Sequence, residues 1–499
     1  MRRRGDRPVA PTLVNIMMTS DLKPYPAYKD AGIEWLGEVP THWDLRRTKS
    51  LLVQRSQKGF PNEPLLAATQ TKGVVRKERY ENRTVLAMKD LELLKIVRVG
   101  DFVISLRSFQ GGIEFAREQG IISPAYTILY PFESDHHAYL AKVFKSRPYI
   151  ENLSLFVTGI RQGQNIDYER LARSYLPLPP FPEQNAIVRF LDHADRRIRR
   201  YIRAKQKLVA LLEEQKQAII HQAVTGQIDV RTGQPYPAYK VSGVEWLGEV
   251  PKHWEVLRLR DVGEAIIGLT YDPNDVVGEE NGLLVLRASN ISDGRIVDSD
   301  NVYVKCNVPN RLVLQMGDIL LCSRSGSRAL IGKNARINAD FSGVTFGAFM
   351  TVFRSEKNDY LHHVFNSNLF EYQSGAFLTS TINQLTLSIL YNIKIPLPQI
   401  TEQKKITQYL CRATADLANS IQRVRDQIDL LHEYSTRLIA YVVTGKLDVR
   451  EAAAALPEVD PLAEDDLDGT IPDEENSNLD DLDAEESAEE YTIEKEMPL

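Results

Sequence analysis

The sequence predicts an α/β protein in which two mixed α/β domains alternate with two long antiparallel coiled-coil helices, arranged with pseudo-two-fold internal symmetry. Three observations support this: a block that occurs twice, a heptad-patterned segment that closes each half, and a strongly acidic C-terminal segment. We divide the chain into a flexible N-terminal extension (1–22), a first domain (23–180), a first helix (181–226), a second domain (227–398), a second helix (399–446) and a disordered acidic tail (451–499).

An internal repeat is the strongest organisational signal in the chain. The segments PYPAYK at 24–29 and EWLGEVP at 34–40 recur 211 residues later, at 235–240 and 245–251. A second block, LPLP at 176–179 and IPLP at 395–398, recurs at an offset of 219 residues, so the middle of the second half is longer. A duplicated frame around divergent middle segments is expected of two domains with one fold and different surfaces. Free drift of a duplicated structural domain is the alternative.

The divergent middle segments still share a skeleton. Gly100-Asp101 and Gly317-Asp318 each precede an apolar stretch rich in β-formers, and Tyr139-Leu140 and Tyr360-Leu361 each open a helical pattern. We therefore expect the two domains to share one fold.

Residues 183–224 and their repeat carry apolar residues at the 4-3 spacing of a coiled-coil seam. Polar Lys205, Gln215, Ser420 and Gln427 interrupt the two seams, and such residues fix the register and the partner. About 42 residues at 1.5 Å each make a rod of roughly 60 Å. The alternative is that each helix packs only on its own domain. The candidate interface residues are Leu191, Ile198, Leu208 and Leu212 in the first helix and Leu410, Leu417, Leu431 and Leu438 in the second.

Charge is distributed unevenly along the chain. The segment from 451 to 499 contains about nineteen acidic residues and one lysine, so the rest of the chain carries about +12 although the total is −6. A basic body with an acidic tail is typical of nucleic-acid-binding proteins. The tail is poor in aromatic residues, so we expect it to be disordered and to aid solubility, or to act as an acidic decoy that competes with DNA.

Several classes are disfavoured by composition. No apolar run approaches the roughly 20 residues that a membrane span needs, and no apolar segment follows the basic N-terminus as in a secretory signal. Three scattered cysteines, Cys306, Cys322 and Cys411, favour a reducing cytoplasm over a disulfide framework or a zinc site. We therefore expect a cytoplasmic protein without a membrane partner and without a metal site.

The repeated frame GIEWLGEVPTHW and GVEWLGEVPKHW, together with LPLPPFPEQNAIVRFLD and IPLPQITEQKKITQYL, resembles the specificity subunits of type I restriction–modification systems. The resemblance covers residues 23 to 450. It implies two target-recognition domains that each read one half of a split sequence in double-stranded DNA, with the helices as the spacer between them. It also implies docking of two modification (methyltransferase) subunits that use S-adenosylmethionine, and of restriction (motor/nuclease) subunits that use ATP and Mg²⁺.

Catalytic motifs are absent from the sequence. There is no G-x-x-x-x-G-K-[ST] loop for a phosphate, and no Asn/Asp-Pro-Pro-Tyr/Phe segment of the kind found in amino-methyltransferases. We therefore expect a chain with no catalytic residues and no cofactor of its own. Two other possibilities stay open: a nuclease with an unrecognised site, and a coiled-coil adaptor that does not bind DNA.

Candidate DNA contacts are Arg, Lys, Asn and Gln residues in loops next to Gly or Ser, because these types pair with bases and phosphates. Equivalent loops follow the two Gly-Asp steps, and further loops lie earlier and later in each domain. The candidates are Arg107, Gln110, Gln70, Lys72, Arg161 and Gln164 in the first domain and Asn290, Arg324, Arg328 and Lys333 in the second. The sequence determines neither the target bases nor the length of the spacer.

Overall fold

The computed structural model describes residues 22–70, 72–79, 90–106, 108–133, 136–158, 165–292, 294–376 and 384–457. The chain divides into a first unit, residues 1–205 with 427–499, and a second unit, residues 206–426. Each long helix is thus shared between the units, whereas the sequence analysis treats each helix as one separate segment. The acidic tail beyond residue 457 lies outside the described residues.

The first unit contains fourteen of the described strands and all or part of eight described α-helices. The strands are β1 Tyr28–Asp30, β2 Glu38–Pro40, β3 Asp44–Arg47, β4 Leu52–Arg55, β5 Leu66–Thr69, β6 Gly73–Arg76, β7 Lys95–Val97, β8 Phe102–Ile104, β9 Glu114–Phe115, β10 Gly120–Ile122, β11 Thr127–Pro131, β12 Val157–Thr158, β13 Asn165–Ile166 and β14 Tyr175–Leu178. Its short helices are α1 Thr48–Leu51, α2 Ser108–Gly111, α3 His137–Phe144, α4 Arg147–Leu153 and α5 Tyr168–Leu171, and the first long helix is α6 Phe181–Thr225.

The second unit contains the other fourteen described strands. These are β15 Tyr239–Val241, β16 Glu249–Pro251, β17 Glu255–Arg258, β18 Glu264–Ile267, β19 Val276–Val277, β20 Leu283–Leu286, β21 Ile291–Ser292, β22 Arg295–Ile296, β23 Val302–Val304, β24 Ile319–Cys322, β25 Asn334–Arg336, β26 Thr345–Phe346, β27 Met350–Arg354 and β28 Lys394–Leu397. Its helices are α7 Asn358–Phe365, α8 Asn368–Ala376 and α9 Leu387–Asn392. The second long helix is α10 Ile400–Val443, and α11 Arg450–Ala454 follows it in the first unit.

Each unit is built on a four-stranded antiparallel sheet, so the predicted mixture of helix and sheet is confirmed. The strand orders are β4-β11-β8-β9 in the first unit and β18-β27-β24-β25 in the second. The strands that follow the two Gly-Asp steps, β8 and β24, are interior strands of these sheets. The second unit has a further four-stranded sheet, β19-β23-β20-β26, where the described residues of the first show the two-stranded pairs β5-β6 and β7-β10.

The Gly-Asp steps are buried turns. Gly100 and Gly317 have φ of +91° and +93°, a backbone region that favours glycine. The Asp101 carboxylate accepts the backbone N–H of Arg98 at 2.8 Å and the side chain of Arg55 at 2.8 Å. Each aspartate is almost fully buried, and Asp318 is held in the same way by Arg354. These buried ion pairs explain why the two residues persist in otherwise divergent segments.

In the first unit, a buried glutamate joins the two repeated blocks of sequence. Glu183, in the first turn of α6, is only 5% exposed. One carboxylate oxygen accepts the indole N–H of Trp43 at 2.8 Å and the hydroxyl of Tyr25 at 2.6 Å, and the other lies 2.8 Å from His42 Nε2. Trp43 is completely buried in the core. We call this arrangement the glutamate hub of the unit.

The second unit has an equivalent glutamate hub around Glu402, in the first turn of α10. Tyr236 and Trp254 donate to its carboxylate at 2.7 and 3.0 Å, and His253 Nε2 lies 2.9 Å away. The PYPAYK, HW and EQ segments therefore meet at one buried carboxylate in each unit. Their recurrence along the chain reflects a shared structural requirement.

Within each unit, segments of the two long helices pack in opposite directions. In the first unit, Ile198 and Ile202 pack with Leu431, and Lys205 Nζ donates to Gln427 Oε1 at 2.6 Å. Two polar residues predicted to interrupt the seams thus bind each other. In the second unit, Arg425 donates to Glu213 at 2.7 Å, while α6 residues near 220 share a core with α10 residues 406 and 410.

The predicted seam of α6 needs one correction. Leu208 is 44% exposed, whereas Ile202 and Ile220, which are not among the candidate interface residues, are buried. The buried face keeps the repeat of about 3.6 residues of a straight α-helix, so a strict 3.5-residue pattern drifts off it. The other candidate interface residues do lie on the packed faces: Leu191, Ile198, Leu410, Leu431 and Leu438 are buried, and Leu212 and Leu417 are partly buried. The buried five lie within the chain itself, where they are not accessible to another subunit.

The ends of the long helices are closed alike. Gly226 and Gly445 both have φ of +74°, so each helix ends in a left-handed glycine cap. A Cβ at Gly445 would lie 2.3 Å from Pro40 and 3.2 Å from Trp43. After Gly226 the chain folds back on itself, with Asp229 N donating to Gln234 O at 2.8 Å. After Gly445 the same bond is made to a distant residue, from Asp448 N to Lys23 O at 2.8 Å.

The glutamate hub predicts a large effect of Glu183→Gln on the first unit. A glutamine directs an N–H towards one of three donors and removes a buried negative acceptor, so we expect a loss of about 2–4 kcal/mol in the free energy of unfolding. Scanning calorimetry of the full chain measures it. Glu213→Gln on the same helix is the control. Its ion pair with Arg425 is partly exposed and should contribute about 1 kcal/mol or less. Equal effects of the two substitutions would contradict a stabilising hub.

Candidate nucleic-acid interface

In the first unit, two loops that carry candidate DNA contacts lie side by side. The first loop links β5 to β6 and contains Gln70 and Lys72. The second loop follows β8 and includes the short helix α2, in which Gln110 is exposed. A Cβ at Gly111 would lie 2.6 Å from Gln70 Cγ, so only a residue without a side chain permits this approach. Lys72 is also exposed. The structure thus brings these three candidates together, with Lys72 and Gln110 exposed and Gln70 partly buried, its Nε2 atom enclosed by protein.

Three further candidates of the first domain, Arg107, Arg161 and Gln164, lie outside the described residues. Arg107 directly precedes α2, and the other two fall between β12 and β13 in sequence. Their roles stay predictions.

Lys145 fastens the two loops of the first unit together. Its ammonium group donates to the carbonyl oxygens of Gln70 at 3.1 Å and of Gly111 at 2.8 Å, and it forms an ion pair with Glu114. Glu114 is only 2% exposed, so this pair is largely desolvated. Sequence reasoning missed Lys145, although its position directly after Phe144 on the shared helical pattern was visible.

In the second unit, arginine and an exposed aromatic ring form the corresponding surface. The Arg324 guanidinium lies 5.2 Å from the centre of the Phe349 ring, and Phe349 is 59% exposed. The backbone N–H of Arg324 donates to the Phe349 carbonyl at 3.0 Å, and an isolated bridge joins Arg324 to Gln384. Sequence analysis did not single out Phe349, because an aromatic residue before a strand ordinarily belongs to the core.

The other candidates of the second unit fall into two groups. Arg328 is exposed on a short 3₁₀ turn, and Lys333 is partly exposed. Asn290 is fully buried: its amide donates to Ser299 O at 2.6 Å, and its oxygen accepts the Arg287 N–H at 2.9 Å. The assignment of Asn290 as a base contact is therefore withdrawn, since its polar atoms hold the loop together and do not face solvent.

Asn366 occupies the position equivalent to Lys145, directly after Phe365. Its amide donates to Asn334 Oδ1 at 2.9 Å, and Asn334 in turn donates to Gly332 O at 3.1 Å. A Cβ at Gly294 would lie 3.9 Å from Asn366 Oδ1, so the hairpin of β21 and β22 comes close to the same point. Both units thus tie candidate loops to the end of one helix, with different chemistry.

Two half-buried histidines lie beside this asparagine. Burial, together with nearby positive charge from Arg336, lowers the pKa of His362 to about 4 and that of His363 to about 3. His362 Nδ1 lies 3.2 Å from Asn366 Nδ2. The neutral imidazoles are therefore the form compatible with the folded second unit.

Among the described residues, no group of three or more His, Cys, Asp or Glu side chains is placed to hold a metal ion. In the same part of the chain, no helix combines the length and the hydrophobicity required to cross a bilayer.

Lys145→Met should loosen both loops of the first unit. The substitution leaves the Glu114 carboxylate buried without its cation, so we expect a loss of about 3 kcal/mol in the free energy of unfolding. Amide hydrogen exchange at residues 69–73 and 108–112 should accelerate. Lys142→Met on α3 is the control, because its pair with Asp192 is more exposed. Unchanged exchange in the two loops of the Lys145 variant would refute the proposed link.

The lowered pKa values predict that the second unit loses stability in mild acid. Unfolded imidazoles have a pKa of about 6.5. Below that value, and down to about 4 for His362 and about 3 for His363, the unfolded chain takes up protons that the folded chain excludes, so lowering the pH from 7 to 5 should reduce the free energy of unfolding by about 3–4 kcal/mol. Urea unfolding at pH 7 and pH 5 measures the difference. His362→Gln/His363→Gln should reduce it, and an identical pH dependence in this variant would contradict the assignment.

Comparisons with known proteins agree with this architecture. Residues 251–428 match the model of the type I restriction modification DNA specificity domain. The chain is 26% identical over 306 residues to the type I restriction enzyme MjaVIII specificity subunit of Methanocaldococcus jannaschii, across 59% of this chain and 66% of that protein. It is 28% identical over 207 residues to the EcoKI specificity subunit of Escherichia coli, across 40% of this chain and 44% of that protein.

The match thus spans slightly less than two thirds of one relative and under half of the other. The fold resembles that of a chain in a solved structure of the type I R-M system, with a TM-score of 0.56 and 18% identity, covering 82% of this chain and 99% of that one. The resemblance inferred from the sequence is confirmed: residues 251–428 match the type I restriction modification DNA specificity domain, and the relatives that the chain resembles are type I restriction enzyme specificity subunits.

Proposed function

We propose that this chain is the sequence-reading subunit of a type I restriction–modification complex and binds a bipartite target in double-stranded DNA. The observation that carries the proposal is the pair of loop surfaces on one repeated fold. One presents Lys72 and Gln110, beside the half-buried Gln70, and the other presents Arg324 and Arg328. Two DNA half-sites of different sequence require two similar scaffolds that carry different polar surfaces.

The proposed contacts follow from the chemistry of these side chains. Arginine pairs with guanine through two hydrogen bonds, and glutamine pairs with adenine in the same way. Lysines supply phosphate contacts that raise affinity without reading sequence. Arg324 stacks on Phe349, which restricts its guanidinium before DNA binds and lowers the entropic cost of a base contact.

The proposed arrangement places two target-recognition domains at a separation set by the long helices. The antiparallel packing of helix segments inside each unit supports it, as does the Lys205–Gln427 bond that fixes their register. Two half-sites would then lie roughly one helical turn of DNA apart. A shared rigid spacer favours a defined gap over two independently binding domains.

In this proposal the chain has no catalytic role. Partner modification subunits would use S-adenosylmethionine to methylate adenine, and partner restriction subunits would use ATP and Mg²⁺ to cleave DNA. The relatives are named as specificity subunits of type I restriction enzymes, which supports such partners. Five of the predicted interface leucines and isoleucines are buried inside this chain, so a partner would contact other faces of the helices.

Arg324→Ala/Arg328→Ala should weaken recognition of one half-site only. Each lost bidentate base contact costs about 1–3 kcal/mol, or roughly 5- to 150-fold in affinity. Selection from a random duplex library, with the wild-type chain and the variant, measures the preference at each position. Binding should also weaken steeply with salt, as phosphate contacts require.

Arg260→Ala is a control for charge alone, because Arg260 is a surface arginine of the same unit, beside Asp261. Uniform loss at both half-sites would contradict the assignment of these arginines. If the wild-type chain does not bind duplex DNA even at low salt, the result would favour a coiled-coil adaptor that does not bind DNA.

A further inference from the structure

The last described residues of the chain lie on the first long helix. The Arg189 guanidinium donates to the carbonyl oxygens of Leu456 at 2.7 Å and of Pro457 at 3.4 Å. Leu456 also lines a small pocket together with Phe190, His193 and Tyr434. The described part of the chain therefore ends, at Pro457, on the surface of α6.

At this point α6 carries a row of arginines on one face. Arg189, Arg196, Arg200 and Arg203 are separated by seven, four and three residues, which places them on one side of an α-helix over about 21 Å. We call these four residues the arginine stripe. The opposite side carries the buried residues Ile187, Leu191, Ile198 and Ile202. Arg189 and Arg200 are exposed, and Arg196 and Arg203 are partly exposed.

The pKa of a neighbouring histidine is affected by this concentration of positive charge. The pKa of His193 is lowered from its usual value, first by burial and then by the charges of Arg197, Arg196 and Arg189. On the same stretch, Asp195 pairs with Arg199 at 2.9 Å and Asp192 pairs with Lys142 at 2.5 Å. These nearby carboxylates already have partners, so they offset the stripe only in part.

The repeated frame does not require the arginine stripe. At the offset of 219 residues, the second long helix carries Gln408, Ala415, Asn419 and Gln422 at the four equivalent positions. The stripe therefore breaks the internal symmetry of the chain. It occurs on the helix whose Arg189 binds the carbonyl oxygens of Leu456 and Pro457.

We propose that the acidic segment 458–499 docks on the arginine stripe of α6. This segment contains eighteen acidic residues and one lysine, and it starts next to Arg189, so its carboxylates are confined to the neighbourhood of the stripe. Tethering of this kind gives an effective concentration of about a millimolar or more. The docked segment occupies a cationic surface that would otherwise attract the phosphates of any duplex. It thus reduces binding that is independent of sequence.

Zero-length carbodiimide cross-linking of the full chain tests this docking. Arg196→Lys/Arg200→Lys keeps both charges and the helix propensity and supplies amines that react with adjacent carboxylates. We expect cross-links within one chain to peptides from 458–499. Ala415→Lys/Asn419→Lys, at the exposed equivalent positions of α10, is the matched control and should give at least about tenfold fewer. About 1 M salt should abolish the difference, since charges are then screened within about 3 Å.

Two results would overturn the proposal. One is a similar yield from both variants, or no cross-link to 458–499 from either. The other is loss of duplex affinity in Arg196→Gln/Arg200→Gln without any such cross-link in the lysine variant. That result would assign the stripe to DNA. Equal thermal unfolding of the two lysine variants and the wild type would establish that all three chains are folded.

Discussion

A carboxylate buried at the start of each long helix is the constraint on which both units depend. Glu183 accepts hydrogen bonds from a tryptophan, a tyrosine and a histidine that lie about 140 to 160 positions earlier in the chain. A buried negative charge is unfavourable unless its acceptors are filled. The helix can begin only where the N-terminal frame supplies those donors. The packing of the first domain and the position of α6 therefore depend on the same hydrogen bonds. The Glu402 hub links the second domain to α10 in the same way.

This coupling leaves the middle of each domain free to vary. The Gly-Asp turn and its arginine anchor the interior strand of the main sheet, and the hub anchors the frame. The loops between these anchors share no sequence, yet both are tied to the end of one helix, by Lys145 in one unit and by Asn366 in the other. A surface can thus change its chemistry while the scaffold that presents it stays constant.

Much of the scaffold could be predicted from the sequence because its signals are repeated or periodic. The duplicated blocks identified the two halves, and the apolar spacing identified both long helices to within a few residues. The register of α6 was harder, since Leu208 suits a heptad pattern but is 44% exposed, and a repeat of 3.6 residues drifts off a strict heptad seam. The loops were harder still. Asn290 has the composition of a base contact, but its burial depends on partners seven to eleven residues away, and the exposure of Phe349 depends on tertiary packing.

The junction between residues 23 and 448 bears on how such a chain could be rewired. In the second unit a continuous hairpin at 229–234 connects helix to frame, and in the first unit two separate stretches reproduce the same backbone bond. The backbone hydrogen bond at this position therefore forms whether or not its two strands are joined by a continuous peptide. A polypeptide opened at 229–234 and spliced from 450 to 22 would keep both glutamate hubs and both Gly-Asp turns. Gene fusion, fission or exchange of halves could therefore generate new combinations of reading surfaces without disturbing the scaffold.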